Sequence, residues 1–279
     1  MNIAMRVSTN TNSMTAMRYV QQRTEEQSIQ NEQLSSGDRI ARAEIDPAGL
    51  AISEGMRARI RSNYQAERNS NDSISLLQVA EGSLGVMQGM GIRLRELAMQ
   101  SANDTLGDGE RTVIDSEFQQ LKQEVKRITA STTFNGNHII KGSDSVYDLQ
   151  VGINGTAQND RLRYDMGKVM DADGNFGIGN VDLKTKYSAQ NSLTKIDKMM
   201  SDIGASRAQL GSMETRVQSV IQNLQVYREN TSASNSKIRD TDVAAEAANR
   251  IKTQIGQSAS LAMLKISNDA PGMILKLVS

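Results

Sequence analysis

The sequence predicts a mainly α protein: a hairpin of long helices forming a coiled-coil-like bundle, with a small β-hairpin region. Three observations point there. Two long segments carry apolar or small residues at heptad spacing. Aromatic residues make up only 3% of the 279 residues, and Trp is absent. Only two prolines occur, Pro47 and Pro271. A chain this poor in aromatics must bury Leu, Ile, Val, Met and Ala, which suits helix seams better than a thick globular core. Between the two prolines, no proline interrupts a helix.

Taken in order, residues 12–33 are polar with a thin apolar stripe of Met14, Met17, Val20 and Ile29. The stretch LSSGDRIARAEIDPAGLAIS, residues 34–53, then breaks the helical pattern. Gly37 and Gly49 supply backbone freedom there, and Pro47 disfavours α conformation at Asp46. A seam follows over residues 74–103. Leu77, Leu84, Gly91 and Ala98 repeat at seven, with Ala80, Met87, Leu94 and Ser101 interleaved. Gly82, Gly85, Gly89 and Gly91 weaken helix propensity but admit a close neighbouring helix. NDTLGDGE reads as a turn with Asp108 as N-cap. Val113, Phe118, Leu121, Val125 and Ile128 then define a third helix over 112–130, antiparallel to the second because the connection is short.

Residues 131–190 change character. STTFNGNHIIKGSDS and DADGNFGIGN are turn-rich. The alternation Tyr147 to Ile153, with Arg161 to Tyr164 after NGTAQND, reads as a β-hairpin with a long loop, the only strand content expected. Residues 193–228 carry the best heptads: Ile196, Ile203, Leu210, Val217 and Leu224, with Met199, Ser206, Met213, Val220 and Tyr227. Such a helix is on the order of 50 Å long at 1.5 Å per residue. A second break at 236–242 mirrors the first. Asp242 then caps a last helix, with Glu246 in its first turn complementing the dipole. Its stripe is Ala244, Ala248, Ile251, Ile255, Ala259, Ala262 and Ile266. Neither terminal helix can bury enough surface alone. Each needs the other, or other copies of itself.

Bulk properties exclude several functions. The 32 basic and 32 acidic residues balance, which argues against a nucleic-acid or acidic-membrane partner. There is no Cys, hence no disulfide, thiolate metal site or Cys nucleophile. No apolar run is long enough to span a bilayer, and MNIAMRVSTNTNSM is not a secretory signal peptide. His138 is the only histidine, so a Ser-His-Asp triad or an HExxH zinc site is not expected. Asp171-Ala172-Asp173-Gly174-Asn175 with Asp182 faintly resembles a calcium loop. Phe176 occupies the position that needs glycine, and a plain turn is favoured. The sequons at Asn71, Asn154 and Asn230 are read as incidental. No enzyme activity, cofactor or metal is expected.

Several separated motifs carry a family resemblance. Residues 34–53 fit LSSG-x-RI-x-x-A-x-x-D-x-AGLAIS; RSNYQAERNSN at 61–71, RELAMQSAND at 95–104 and TTFNG at 132–136 follow. Asn223-Leu224, Glu229-Asn230, Ser234-Asn235-Ser236, Ile238 to Asp242 and Ala245-Glu246 complete the pattern at the far end. In this order, and nearly end to end, they resemble bacterial flagellin, here in a short form lacking a large outer domain. The resemblance implies a filament subunit of the flagellum used for motility, exported unfolded and polymerised beneath a cap. It implies inner-tube helices at 1–33 and 243–279, a spoke at 34–58 and a linker at 236–242. Outer-core helices and a β-hairpin region would occupy 59–190, with the long heptad helix at 191–235.

Further implications concern particular residues. The spoke would use Leu34, Gly37, Arg39, Ile40, Asp46, Pro47, Gly49 and Leu50. The bundle seam would use Leu77, Leu84, Leu94, Ile196, Ile203, Leu210, Val217 and Leu224. Ile251, Ile255, Ala262 and Ile266 would pack the terminal helix. Arg93, Leu97 and Glu117 match positions seen by the vertebrate innate receptor for flagellin; subunit contact at Leu97 and solvated charges are the favoured primary roles. Implied partners are other copies or other flagellins, an export chaperone at the C-terminal segment, and cap and hook-junction proteins. Any sugars would sit at 142–188. Two features depart from the family pattern: Ile45 stands in place of an acid, and Gln27 and Asn31 are polar where the family is apolar. Polar seam residues can specify partner or register. The rival readings are a hook–filament junction protein, a cytoplasmic coiled-coil adaptor and a peripheral membrane binder.

Overall fold

The computed structural model describes residues 9–140, 146–165 and 176–278. The calcium-loop-like residues 171–175 lie outside that set, as does part of the candidate sugar region. The chain divides into two compact units. One comprises Met1–Ala58 with Asn230–Ser279, the other Arg59–Glu229. Six helices and two small hairpins make up the described residues: α1 (Thr11–Ser36), α2 (Pro47–Ser101), α3 (Asp108–Ser131), β1 (Thr133–Phe134), β2 (Asn137–His138), β3 (Val146–Gln150), α4 (Ala157–Asp160), β4 (Arg161–Asp165), α5 (Lys186–Arg239) and α6 (Val243–Val278).

The unit at 59–229 is built on the two heptad helices. On α2 every seam position read from sequence is buried, from Leu77 and Ala80 to Ala98 and Ser101. The same register continues backwards through Ser73, Ser70 and Ala66 to Asn63, all buried. Apolar periodicity could not show that extension, because its residues are small or polar. On α5, Ile196, Met199, Ile203, Ser206, Leu210, Met213 and Val217 are buried, while Leu224 is half-buried and Tyr227 exposed. Ion pairs and hydrogen bonds fix α2 and α5 as antiparallel: Arg95 to Asp197 at 2.7 Å, Gln78 to Glu214 at 3.1 Å, and Gln225 to Glu67 at 2.9 Å.

Helix α3 lies antiparallel to α2, tied by Arg93 to Glu117 at 2.8 Å and by the hydroxyls of Thr132 and Ser83 at 3.2 Å. Its inward face differs from expectation. Phe118 and Val125 are buried, but Val113 is 72% exposed. Arg111, Asp115 and Thr129 fill the other inward positions. The cap differs too. Gly107 is the N-cap in extended conformation, and its N–H donates to Glu110 Oε2 at 3.0 Å. Asp108 is instead the first helical residue, where its charge complements the helix dipole. Of the glycines expected to admit a close helix, only Gly91 does so: a Cβ there would meet Met199 and Met200 at 3.0 and 3.1 Å. Gly82, Gly85 and Gly89 face open space.

The strand content exceeds the expected hairpin. Asn135 and Gly136, both at positive φ, form a tight turn that pairs β1 with β2. The Asn-Gly signal for that turn stands in TTFNG. The expected hairpin is β3 against β4, antiparallel, with Tyr147 opposite Tyr164 and the short α4 in its loop. Both phenols anchor it: Tyr147 donates to the His138 carbonyl and Tyr164 to the Ile139 carbonyl, each at 2.6 Å. Ile139, Ile140, Leu162 and Tyr164 join the helical core.

In the other unit, α1 and α6 pack antiparallel. Asn10 donates to the Ser267 carbonyl at 2.7 Å, and Gln257 to the Thr24 hydroxyl at 2.9 Å. The breaks are shorter than the sequence suggested. The first spans only Gly37–Asp46, because the pair Asp46-Pro47 opens α2 as cap and first helical residue. The second shrinks to Asp240–Asp242 between α5 and α6.

Candidate assembly site

The two breaks meet. Gly37 ends α1 in the left-handed region at φ 74°, which glycine adopts without a Cβ clash, and its N–H returns to the Gln33 carbonyl at 2.9 Å. Asp38 then pairs antiparallel with Asp240 in an isolated bridge. The Arg39 N–H donates to the Arg239 carbonyl at 2.6 Å, and the Thr241 N–H to the Gly37 carbonyl at 2.9 Å. Side chains reinforce these bonds. Arg39 donates to the Ile238 carbonyl at 2.5 Å, and Gln33 to the Arg39 carbonyl at 2.6 Å. Arg239 bridges Asp38 at 3.0 Å and Glu54 at 2.6 Å. The hydrogen bonds from Arg239, then Arg57, hold the Glu54 carboxyl below the ordinary range.

Below the bridge, Ile40 is buried and α2 starts against it. Asp46 Oδ1 accepts the Gly49 N–H at 2.8 Å, an N-cap bond. A Cβ on Gly49 would lie 2.2 Å from Asp46 Oδ2 and 3.0 Å from Ile40 Cδ1. Asp46 is half-buried, Pro47 exposed, and Leu50 half-buried. Asp242 caps α6 by accepting the N–H groups of Ala244 and Ala245 at 3.0 and 3.1 Å. Of the residues expected in the first break, Leu34 sits instead on the half-buried face of α1.

The terminal helices meet largely through small and polar residues. On α1 the half-buried positions include Ser13, Ala16, Val20, Gln27 and Gln30; on α6 Thr253 is buried, and Gly256, Ser260 and Ser267 are half-buried. Gln27 therefore lies in this seam, whereas Asn31 is exposed. Val20, Ile29 and Leu34 on α1 and Leu264 on α6 are half-buried as well, but most of the apolar stripe points elsewhere. Ile251, Ile255, Ala262 and Ile266, expected to pack the terminal helix, are all exposed, Ile255 by 66%. Met14, Met17 and Tyr19 on α1, and Leu261 and Met263 on α6, are exposed as well. Pairing between α1 and α6 leaves this stripe exposed.

A buried polar cluster in the larger unit was not legible as a site. Arg111 donates to the carbonyls of Ser101, Asn103 and Leu106 at 2.7, 2.8 and 3.0 Å. Asp115 Oδ1 accepts the Leu183 N–H at 2.8 Å, and Ser101 donates to the Leu183 carbonyl at 2.7 Å. Lys122 reaches the carbonyls of Gly179 and Val181 at 2.9 and 3.1 Å, and burial lowers its pKa. Ser101, Asp115 and Lys122 thus strap Gly179–Leu183 to the bundle, while Arg111 holds the turn between α2 and α3. The one available signal was the spacing of Arg111, Asp115, Phe118 and Val125 along a single face.

The comparisons bear on this geometry. The bacterial flagellin N-terminal helical region matches residues 7–145, and the bacterial flagellin C-terminal helical region matches 193–278. The chain belongs to the bacterial flagellin family. A flagellin of Halalkalibacterium halodurans is 39% identical over 247 residues, 88% of this chain and 90% of that one. A flagellar filament core protein of Brachyspira hyodysenteriae is 36% identical over 98% of this chain and 99% of its own length. A putative flagellar hook-associated protein of Vibrio parahaemolyticus shares the fold at TM-score 0.60 over 70% of this chain and 100% of that one; its 13% identity speaks to fold alone. As a flagellin-family member the chain is a structural filament subunit, in a short form whose span between α3 and α5 carries only two small hairpins among the described residues. No helix among the described residues is long and apolar enough to cross a membrane.

The residues matched to the flagellin receptor surface do not form one exposed trio. Arg93 pairs with Glu117 and with Glu96, at 2.8 and 3.0 Å. Leu97 is 2% exposed and packs in this chain's own core. Its side chain is thus open to neither a receptor nor a neighbouring copy, because α2 turns it inward beside Ala98.

Proposed function

We propose that the chain is exported unfolded through the flagellar channel and polymerises outside the cell with copies of itself or with other flagellins. Residues 1–33 and 243–279 line the inner tube. The paired breaks act as the spoke, and the bundle within 59–235 forms the next layer. One observation carries this: Met14 and Met17 on α1 and Ile251, Ile255, Met263 and Ile266 on α6 are exposed, while the mutual seam of the two helices is largely small and polar. Burying an isoleucine contributes about 1.5–3 kcal/mol, so Ile251, Ile255 and Ile266 gain most when neighbouring copies cover them. Repeated head-to-tail contacts of that kind do not close and generate a helical tube. The terminal segments order on assembly, when the contacts that offset their chain entropy become available.

Partners follow from the same account. The C-terminal segment 243–279 presents the apolar stripe to an export chaperone before assembly, and cap and hook-junction proteins bound the filament. The protein works mechanically, without catalysis, cofactor, nucleic acid or membrane partner. Electron microscopy of purified monomer after addition of short filament seeds tests the assembly. The intact chain should extend the seeds, and chains lacking 243–279 or carrying Ile251→Ser with Ile255→Ser should not. Seeds extended equally by the doubly substituted chain would remove the apolar face from the mechanism.

A further inference from the structure

We propose that Met14, Met17 and Met263 form an oxidation-sensitive set whose conversion to sulfoxide blocks polymerisation, an inference that rests on the assembly proposed above. The chain has 15 methionines and no cysteine, so methionine is its sulfur chemistry. Among the described residues the methionines differ widely in exposure, with Met56, Met90 and Met200 half-buried. Met87, Met199 and Met213 are buried in the helical bundle. Met14 and Met17 are 63% and 55% exposed, one helical turn apart on α1. Met263 is 61% exposed on α6, four residues from Ala259 and three from Ile266, so it continues the apolar stripe. All three sit on the faces assigned to subunit contact.

The chemistry needs only a peroxide. The thioether sulfur attacks one peroxide oxygen, the O–O bond breaks, and water leaves as the sulfur gains an S=O bond. The sulfur is oxidised and the peroxide reduced. The product is a polar, chiral side chain where a flexible apolar one stood. Buried without a hydrogen-bond partner, each sulfoxide opposes the contact that a methionine favours. Once copies cover these faces, the same sulfurs are shielded. Free monomer is therefore vulnerable and assembled filament resistant.

The test is dilute hydrogen peroxide on purified monomer, with peptide mass spectrometry and seeded elongation as readouts. Met14, Met17 and Met263 should oxidise well ahead of Met87, Met199 and Met213. Oxidised monomer should elongate seeds roughly tenfold more slowly or worse. Methionine sulfoxide reductase should restore elongation. A chain with M14L, M17L and M263L should elongate equally with and without peroxide, while keeping exposed Met99 as an internal oxidation control. Undiminished elongation by wild-type monomer oxidised at all three sites would overturn the proposal. So would failure of the reductase to restore elongation once mass spectrometry shows the sulfoxides reduced. If untreated wild-type monomer itself fails to extend seeds, the assembly account fails instead.

Discussion

At the scale of single residues, two positions make sharp tests. Gly49 has no room for a side chain, since a Cβ would sit 2.2 Å from the carboxylate that caps α2. Gly49→Ala should displace Asp46 and forfeit the cap, a loss of about 1–2 kcal/mol, seen as faster hydrogen exchange at the Gly49 and Leu50 amides. Asn63 is the opposite case: it is buried at a seam position, and neither amide atom has a partner. Asn63→Leu should raise stability by about 1–3 kcal/mol in chemical denaturation; a lower midpoint would show that the amide is satisfied by trapped water. Gly49 could be singled out from sequence because glycine and proline punctuate a break. Asn63 could not, and Arg111 and Asp115 were marked only by sharing a face with Phe118 and Val125, since polar residues at inward positions do not stand out in an apolar pattern. Their burial depends on carbonyls and amides that only the folded chain brings near.

At the scale of elements, the junction of the two breaks is held by exposed charge as well as by backbone bonds. Glu54 has a lowered pKa because of Arg239 and Arg57, so its contribution is fully present above the ordinary value of 4.5 and is lost as pH falls through the lowered one. Acid should therefore loosen the Asp38–Asp240 bridge first, read as rising exchange at the Arg39 and Thr241 amides. Glu54→Gln should show that loosening already at neutral pH. The seams of α2 and α5 were legible from heptads and the direction of α3 from its short connection, but helix ends were not. α2 begins at Pro47 and α5 runs to Arg239, because Asp46 and the Asp38–Asp240 bridge set those ends. The outward orientation of Ile251 and Ile255 was not legible either. Periodicity identifies a face but not the element that covers it.

At the scale of the whole molecule, alkaline pH should expose the weak point of the bundle. Burial, with a smaller contribution from Tyr147, pushes the Tyr164 phenol above its ordinary value of 10.0. The folded chain keeps that proton while the unfolded chain loses it, so stability should fall as pH rises past about 10. Lys122, with its pKa lowered by burial, acts in the opposite sense below its ordinary value of 10.5. The difference between wild type and Tyr164→Phe isolates the phenol. That variant should be less stable by about 1 kcal/mol at neutral pH, through the lost bond to Ile139, and should show a flatter alkaline limb in thermal unfolding. The helical hairpin and its β region were readable in advance because heptads, turn residues and strand alternation each act locally. The side-chain strap over Gly179–Leu183 was not, since it rests on bonds from distant side chains to backbone groups.

The Asp38–Asp240 bridge has a topological consequence. By tying Gly37 and Arg39 to residues 239 and 241, it closes the intervening chain into a ring, which the α2–α5 contacts fasten further along its length. The entropy of closing a ring grows only with the logarithm of its circumference, about 0.6 kcal/mol per doubling. A clasp of several hydrogen bonds and ion pairs should hold nearly as well around a far larger ring. Material added between α3 and α5 would then change what the ring carries and leave its fastening almost untouched.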